Sequence, residues 1–277
     1  MAKGKNKVFH LGGPGQANPS DLGEWDFIYV ASSVQDPKYH VGDRAVLPDG
    51  RVFRYAKSAG TVLSGFGAAM SKPVNISHAL PAQTGNGSFS IGSRVVTVTV
   101  DSNDGAGADG AVAADELRGG YIVLNNNTSN PLNRGILGNT AIAASGGTIE
   151  VTLDGPVTTT LTTSTYCEIM PNPYLAMTPG GGGTLEYETF LGVPAVGCTT
   201  GKYFWLQTWG PLWVTPGGAT TPGDSANDRT VVFVGDGSLN GVVHITLENG
   251  YQVAGVIMQR DSSGSGGPPF IMLQVSP

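Results

Sequence analysis

Short runs of alternating, β-branched residues recur along this chain, and each one stops at a cluster of Gly, Pro, Asn, Asp or Ser. "RVVTVTV" (Arg94 to Val100), "GGYIVLNN", "GTIEVTL" and "TTTLTTSTYCEIM" (Thr158 to Met170) carry the pattern through the middle. "YFWLQTW", "LWVT", "TVVFVG", "GVVHITL", "YQVAGVIMQ" and "PFIMLQV" carry it to the end. Period-two alternation puts successive side chains on opposite faces of a pleated strand, and Val, Ile and Thr favour that surface. The interruptions "SNDGAGADGA", "NNNTSNPLN", "ASGG" and "DGP" are turn chemistry. The expectation is an all-β fold with little helix, built as two small β-barrel or β-sandwich modules behind an extended arm and a β-hairpin.

Composition agrees. Among 277 residues there are 42 Gly and 18 Pro but only 13% charged side chains, which fits dense turns between short strands. Disorder is excluded because hydrophobic residues still make up 40%. The glycines have no three-residue period, so collagen is excluded too. A net charge of −6 argues against nucleic-acid binding, which needs a concentrated positive field. No apolar run reaches transmembrane length, so no membrane partner is expected. The start "MAKGKNKVFHLGG" has no apolar h-region and reads as no secretion signal. Cys167 and Cys198 lack metal-motif spacing and read as two free, packed thiols of a protein made in a reducing cytoplasm.

Four segments follow from these patterns. Residues 1–60 read as an arm and hairpin, the arm carrying one burst, "EWDFIYVA", that alternates Trp25, Phe27 and Tyr29 against Asp26, Ile28 and Val30. That burst suits a single strand added to another sheet. Residues 61–92 read as a connector with short helical turns, weakened by Gly65, Gly67 and Pro73. Residues 93–178 form the first β module, with "AVAADELRGG" as a helical turn inside it. "TPGGGGT" (Thr178 to Thr184) is a linker, and residues 179–277 form the second module, which ends on a strand.

Catalytic and metal motifs are sparse. His10, His40, His78 and His244 do not fall at ligand spacing from one another or from a cysteine, and His78 has no carboxylate near it in sequence. "LGGPGQANPS" and "GGGG" lack the Lys-Ser/Thr ending of a phosphate loop. "DSNDGAGADGAVAADE" begins like a calcium loop, but its fifth place is Gly105 and its twelfth Val112, so a turn is the better reading. No Gly-x-Ser-x-Gly elbow occurs. Neither enzymatic activity nor a cofactor is expected. In "YFWLQTWGPLWV", Tyr203, Trp205 and Trp209 share one strand face, with Trp213 beyond a Gly-Pro turn. Such a face is a core face, a subunit interface or a sugar-stacking platform.

The hairpin "GDRAVLPDGRVFRYAKSAG" (Gly42 to Gly60) is the most explicit passage. Pro48 has no amide hydrogen to give to a tight two-residue hairpin. A type I turn closed by Gly50 as a bulge removes the conflict. The register then pairs Leu47 with Arg51, Val46 with Val52, Ala45 with Phe53 and Arg44 with Arg54. Facing arginines are unfavourable without an anion between them. Asp43 or Asp49 could supply it locally, or an acidic neighbour could, and in the second case Arg44, Arg51, Arg54 and Lys57 form a contact surface.

Three stretches together resemble structural proteins of tailed bacteriophages, most of all capsid decoration or cement proteins. They are this hairpin, "LRGGYIVLNN…TIEVTLDGPVTTTLTTSTYCEIMPNPY", and "VPAVGCTTGKYFWLQTWGPLWVTPG…YQVAGVIMQ". The resemblance spans most of residues 40–260. It implies a non-enzymatic virion component on the head surface that binds the major capsid protein, often as a homotrimer, and stabilises the shell. The contact residues would be Trp25, Phe27, Tyr29, Arg44, Arg51, Arg54, Lys57, Trp205, Trp209 and Trp213. The other reading is a tail or head-fibre module whose tryptophans stack on glycans.

Overall fold

The structure is a computed structural model that describes residues 9–10, 25–70, 76–81, 88–105, 109–125, 131–180, 189–217, 229–241, 251–259 and 270–277. The strands of the first half are β1 (Phe9–His10), β2 (Arg44–Val46), β3 (Val52–Lys57), β4 (Ala68–Met70), β5 (Ile76–Ala79), β6 (Ser88–Phe89), β7 (Val95–Val100), β8 (Tyr121–Asn125) and β9 (Leu132–Asn139). Those of the second half are β10 (Gly147–Leu153), β11 (Leu161–Thr162), β12 (Tyr166–Met170), β13 (Met177–Pro179), β14 (Phe190–Pro194), β15 (Tyr203–Trp213), β16 (Thr230–Phe233), β17 (Leu239–Gly241), β18 (Gln252–Gln259) and β19 (Phe270–Gln274). The protein is all-β, with two curled antiparallel sheets that form half-barrels.

The chain divides into two compact units, one of which interrupts the other. Pro73–Pro173 forms the inserted unit, while Lys5–Lys72 and Tyr174–Pro277 together form the host unit. The fourfold segmentation expected from sequence cuts the chain differently from this division into two units. The hairpin does not stand apart with the arm, because β3 lies between β2 and β15 in the sheet of the C-terminal strands. Its residues Phe53 and Tyr55 are buried on one face and Ala56 on the other, in two different core clusters. The 61–92 connector has strands β4, β5 and β6 where helical turns were expected. Gly65 takes φ +80, and Ala68 and Ala69 pack without exposure in the sheet, so tertiary burial overrides a weak helical pattern. Thr178 and Pro179 of "TPGGGGT" belong to β13, and residues 181–184 lie outside the described residues.

In the inserted unit the sheet order is β5-β12-β8-β9-β10-β7. The alternation read from "RVVTVTV" holds: Val96, Val98 and Val100 are buried. They join Ile122, Ile149 and Ile169 in one core. The sheet curls until its outermost strands, β5 and β7, come into contact. No backbone ladder joins those two strands among the described residues. "AVAADELRGG" closes into successive turns, with Glu116 accepting from the Ala113 amide at 2.7 Å.

In the host unit the order is β1-β2-β3-β15-β19-β18-β16-β17, with β14 also on β15, and β4 pairing both β14 and β13. β15 is its spine. Trp205 faces one core cluster, with Ile28, Phe53 and Tyr55, whereas Phe204 and Leu206 face another, with Val62 and Met177. A third cluster holds Phe190 stacked on Phe233 at 4.8 Å, with Ile271 and Leu273. Each large side chain fully buried this way contributes about 1.5–3 kcal/mol of transfer free energy. A bulge at Thr208 shifts the β15–β3 register, and Gln207 spans it by donating to the Trp209 and Pro211 carbonyls at 3.2 and 3.1 Å. The Gly-Pro turn expected after Trp209 is absent, because β15 runs through Gly210 and Pro211 along β19.

Several expectations fall outside the described residues: most of the 1–24 arm, most of "GVVHITL" including His244, and the loops "RDSSGSGGP" and "TPGDSANDRT".

Candidate functional site

The hairpin has the register its turn chemistry requires. Arg44 pairs with Arg54, Ala45 with Phe53 and Val46 with Val52. The Leu47 amide donates to the Arg51 carbonyl at 2.8 Å, and Gly50, at φ +86, donates to the Leu47 carbonyl at 2.9 Å. Arg51 forms an ion pair with Asp49 at 2.6 Å and donates to the Tyr29 hydroxyl at 3.1 Å. Partial burial opposes its charge, but those two bonds outweigh it, and its pKa lies above the usual value. Arg54 donates to the Gly42 carbonyl at 3.2 Å and lies over the Tyr174 ring, and Lys57 lies over Tyr203. Among the described residues no carboxylate comes within ion-pair distance of Arg44 or Arg54. The Nε atoms of both are buried, with no hydrogen-bond partner among the described residues. Arg44 and Arg54 thus face each other across the hairpin without a neutralising side chain among the described residues.

The aromatic residues divide differently from the sequence expectation. Residues 25–29 form a 3-10 turn, not a strand, and the fully buried residue is Ile28. In a turn with a period of three, Trp25 and Ile28 lie on one side, so alternation over five residues misleads. Trp25 and Phe27 pack on the Trp205 cluster. Phe27 and Tyr39 meet the Trp205 ring edge-on at 5.4 and 5.1 Å. Trp205 is 1% exposed and is a core residue. Trp209, next to the bulge, is half-buried. Only Trp213, at 41%, shows a large surface. Trp205, Trp209 and Trp213 therefore form no stacking platform.

Trp213 belongs instead to a surface that sequence reasoning did not find. The cross-strand pairs Val256–Met272–Pro211 and Phe270–Trp213 set these side chains on one face of β18, β19 and β15. Met258 (53%), Phe270 (56%), Val253 (45%) and Val256 (38%) are all exposed there, and none of the residues named carries a charge. The opposite parity, Ile257, Ile271 and Leu212, packs on the core. The signal was present: "YQVAGVIMQ" and "PFIMLQV" are apolar at both parities, the pattern of a strand covered on both faces.

The curl of the inserted sheet gathers a second group. His78 on β5 points its Nε2 at the Asp104 Oδ2, 2.7 Å away, with Asp101 Oδ2 at 3.5 Å. Asp104 Oδ2 also accepts the Asp101 amide at 2.8 Å. The Asp104 side chain is 7% exposed, His78 26% and Asp101 46%. Spacing could not reveal this cluster, because its carboxylates follow β7 and meet β5 only when the sheet curls. Cys167 pairs with His78 across β5 and β12, and burial pushes its thiol up to about 11. Cys198 is also a free thiol, raised chiefly by burial.

Comparisons with protein-family models, curated proteins and solved structures find no match to this chain.

Proposed function

We propose that this chain is a non-enzymatic bacteriophage capsid decoration (cement) protein that binds the outer shell of major capsid protein as a homotrimer, bridges subunit seams and stabilises the head. The observation that carries this reading is the uncharged apolar face of Trp213, Phe270, Met272, Val256 and Met258. Apolar sheet surface of this continuity is costly in water and marks a partner site. A symmetric shell presents one complementary surface many times, so modest contacts gain avidity. Arg44 and Arg54, facing cations on the hairpin, supply the polar complement to acidic groups of the shell protein. The resemblance of the hairpin and strand pattern to decoration proteins points the same way. The glycan-binding alternative loses support from the burial of Trp205.

Copy number in purified particles is the first test. Hundreds of copies per head are expected, whereas a handful, or none, overturns the shell reading. The second test is sedimentation with shells stripped of the protein. A Trp213→Ser/Phe270→Ser variant should keep its fold and bind at least tenfold more weakly, as expected when anchor residues of a standard ~1,600 Å² interface are lost. Undiminished binding would remove this face from the interface.

A further inference from the structure

We infer that His78, Asp101 and Asp104 form a binding site for a divalent transition-metal cation, which clamps the open seam of the inserted half-barrel. The three side chains offer one imidazole nitrogen and two carboxylate oxygens, all within 4.8 Å of one another. They come from separate elements, β5 on one side and the turn leaving β7 on the other. These are the outermost strands of the six-stranded sheet, in contact but without a ladder between them among the described residues. Side-chain bridging is therefore the visible link across that seam.

Charge identifies the ligand as a cation. Asp104 is buried, yet no Lys or Arg pairs with it among the described residues, and His78 is its only side-chain counterpart. Asp104 Oδ2 meets the Asp101 amide and His78 Nε2, but no permanent cation stands beside this buried carboxylate among the described residues. The cluster gathers two acidic groups around one imidazole, a donor set that suits a divalent cation. A divalent ion supplies what the protein lacks. It would also take up the second carboxylate, which at 3.5 Å from His78 is too far for a good hydrogen bond.

The donor set selects the class of ion. Imidazole suits Zn, Fe, Ni and Cu, whereas all-oxygen sites suit Ca and Mg, so one nitrogen with two carboxylates favours Zn²⁺ or Mn²⁺. Metal–ligand bonds of about 2.0–2.2 Å require the 2.7 Å His78–Asp104 contact to open by roughly half an ångström. Partly exposed His78 can make that adjustment, and half-exposed Asp101 leaves one side open to water ligands. The Cys167 side chain is buried in the core and is not among the clustered donor atoms. This site is independent of the shell-binding face, which lies in the host unit.

The test uses the full-length chain, freed of metal by chelation and dialysed against Zn²⁺, Mn²⁺ or Ca²⁺. One equivalent of Zn²⁺ or Mn²⁺ per chain is expected, with Ca²⁺ held at least tenfold more weakly. Co²⁺ as a spectroscopic probe should give visible d–d bands that His78→Gln abolishes. Asp101→Asn, at an exposed position that should not disturb folding, should weaken Zn²⁺ at least tenfold, with circular dichroism unchanged. No stoichiometric Zn²⁺ or Mn²⁺ on the wild-type chain would overturn the site. So would Zn²⁺ binding undiminished in an Asp101→Asn/His78→Gln variant, or Ca²⁺ preferred over both transition ions.

Discussion

A single thiol in the inserted core gives this protein a built-in dependence on alkaline pH. Cys167 is fully buried, and desolvation raises its pKa from 9.0 to about 11. The neutral thiol is the form the folded state prefers. Its stabilising contribution is complete below the unfolded pKa and is lost as pH rises through the folded value. Between about pH 9 and 11 the unfolded chain binds fewer protons than the native one, so stability falls, by about 2–3 kcal/mol in total. Urea unfolding at pH 8 and at pH 10.5 should show about two-thirds of this loss in the wild type and a smaller one in Cys167→Ala. Equal pH slopes in the two proteins would contradict it. Tyr39 and Tyr55, also raised chiefly by burial, contribute to both slopes and cancel in the comparison. Two glycines give a second contrast. Gly50 and Gly210 both have positive φ, but a Cβ at Gly50 meets nothing, whereas one at Gly210 lies 2.9 Å from Arg51 Cγ and 3.0 Å from its Cα. Gly50→Ala should cost about 1 kcal/mol of backbone strain, and Gly210→Ala about 2–4 kcal/mol because the Arg51 backbone must also move. Denaturant midpoints would rank the pair.

At the scale of elements, legibility followed the range of the interactions. The hairpin register was readable because Pro48, Asp49 and Gly50 encode it within three residues, and Arg44 does face Arg54. The strands of the inserted core were readable because Val96, Val98 and Val100 alternate cleanly. Trp25 to Tyr29 were misread because five residues cannot separate a period of two from a 3-10 turn. The Thr208 bulge was unreadable, since nothing local tells β15 to shift register. Its cause is remote: the Thr208 carbonyl accepts from the Val275 and Ser276 amides, both at 3.1 Å, and its hydroxyl donates to the Ser276 carbonyl at 2.6 Å. Deleting residues 275–277 removes all three bonds and orphans a buried hydroxyl. The expected loss is about 2–4 kcal/mol, read as a lower urea midpoint, while removal of Pro277 alone should leave the midpoint unchanged.

At the scale of the whole molecule, the interrupted chain is the feature no local pattern announces. Turn-rich sequence looks alike on both sides of a unit boundary, so "MPNPY" was readable as an end but not as a return to an earlier sheet. The return is well anchored. The Lys57 amide donates to the Tyr174 carbonyl at 3.0 Å, and the strand that follows, β13, pairs antiparallel with β4, setting Met177 opposite Met70. The chain therefore leaves and re-enters the host unit at adjacent points, the arrangement that tolerates insertion. Each unit also has its own core: the inserted unit's runs from Ile76 to Ile169, and the host clusters draw only on residues from both flanking stretches. It follows that residues 73–173 can be excised. A chain joining residue 72 to residue 174 through a short Gly-Ser linker should fold and unfold in one cooperative transition. Its far-ultraviolet spectrum should remain that of a β protein, and closing a short loop costs little entropy. The isolated 73–173 fragment should likewise melt cooperatively. If neither piece folds alone, the two cores are energetically one, and the division between them is one of geometry only.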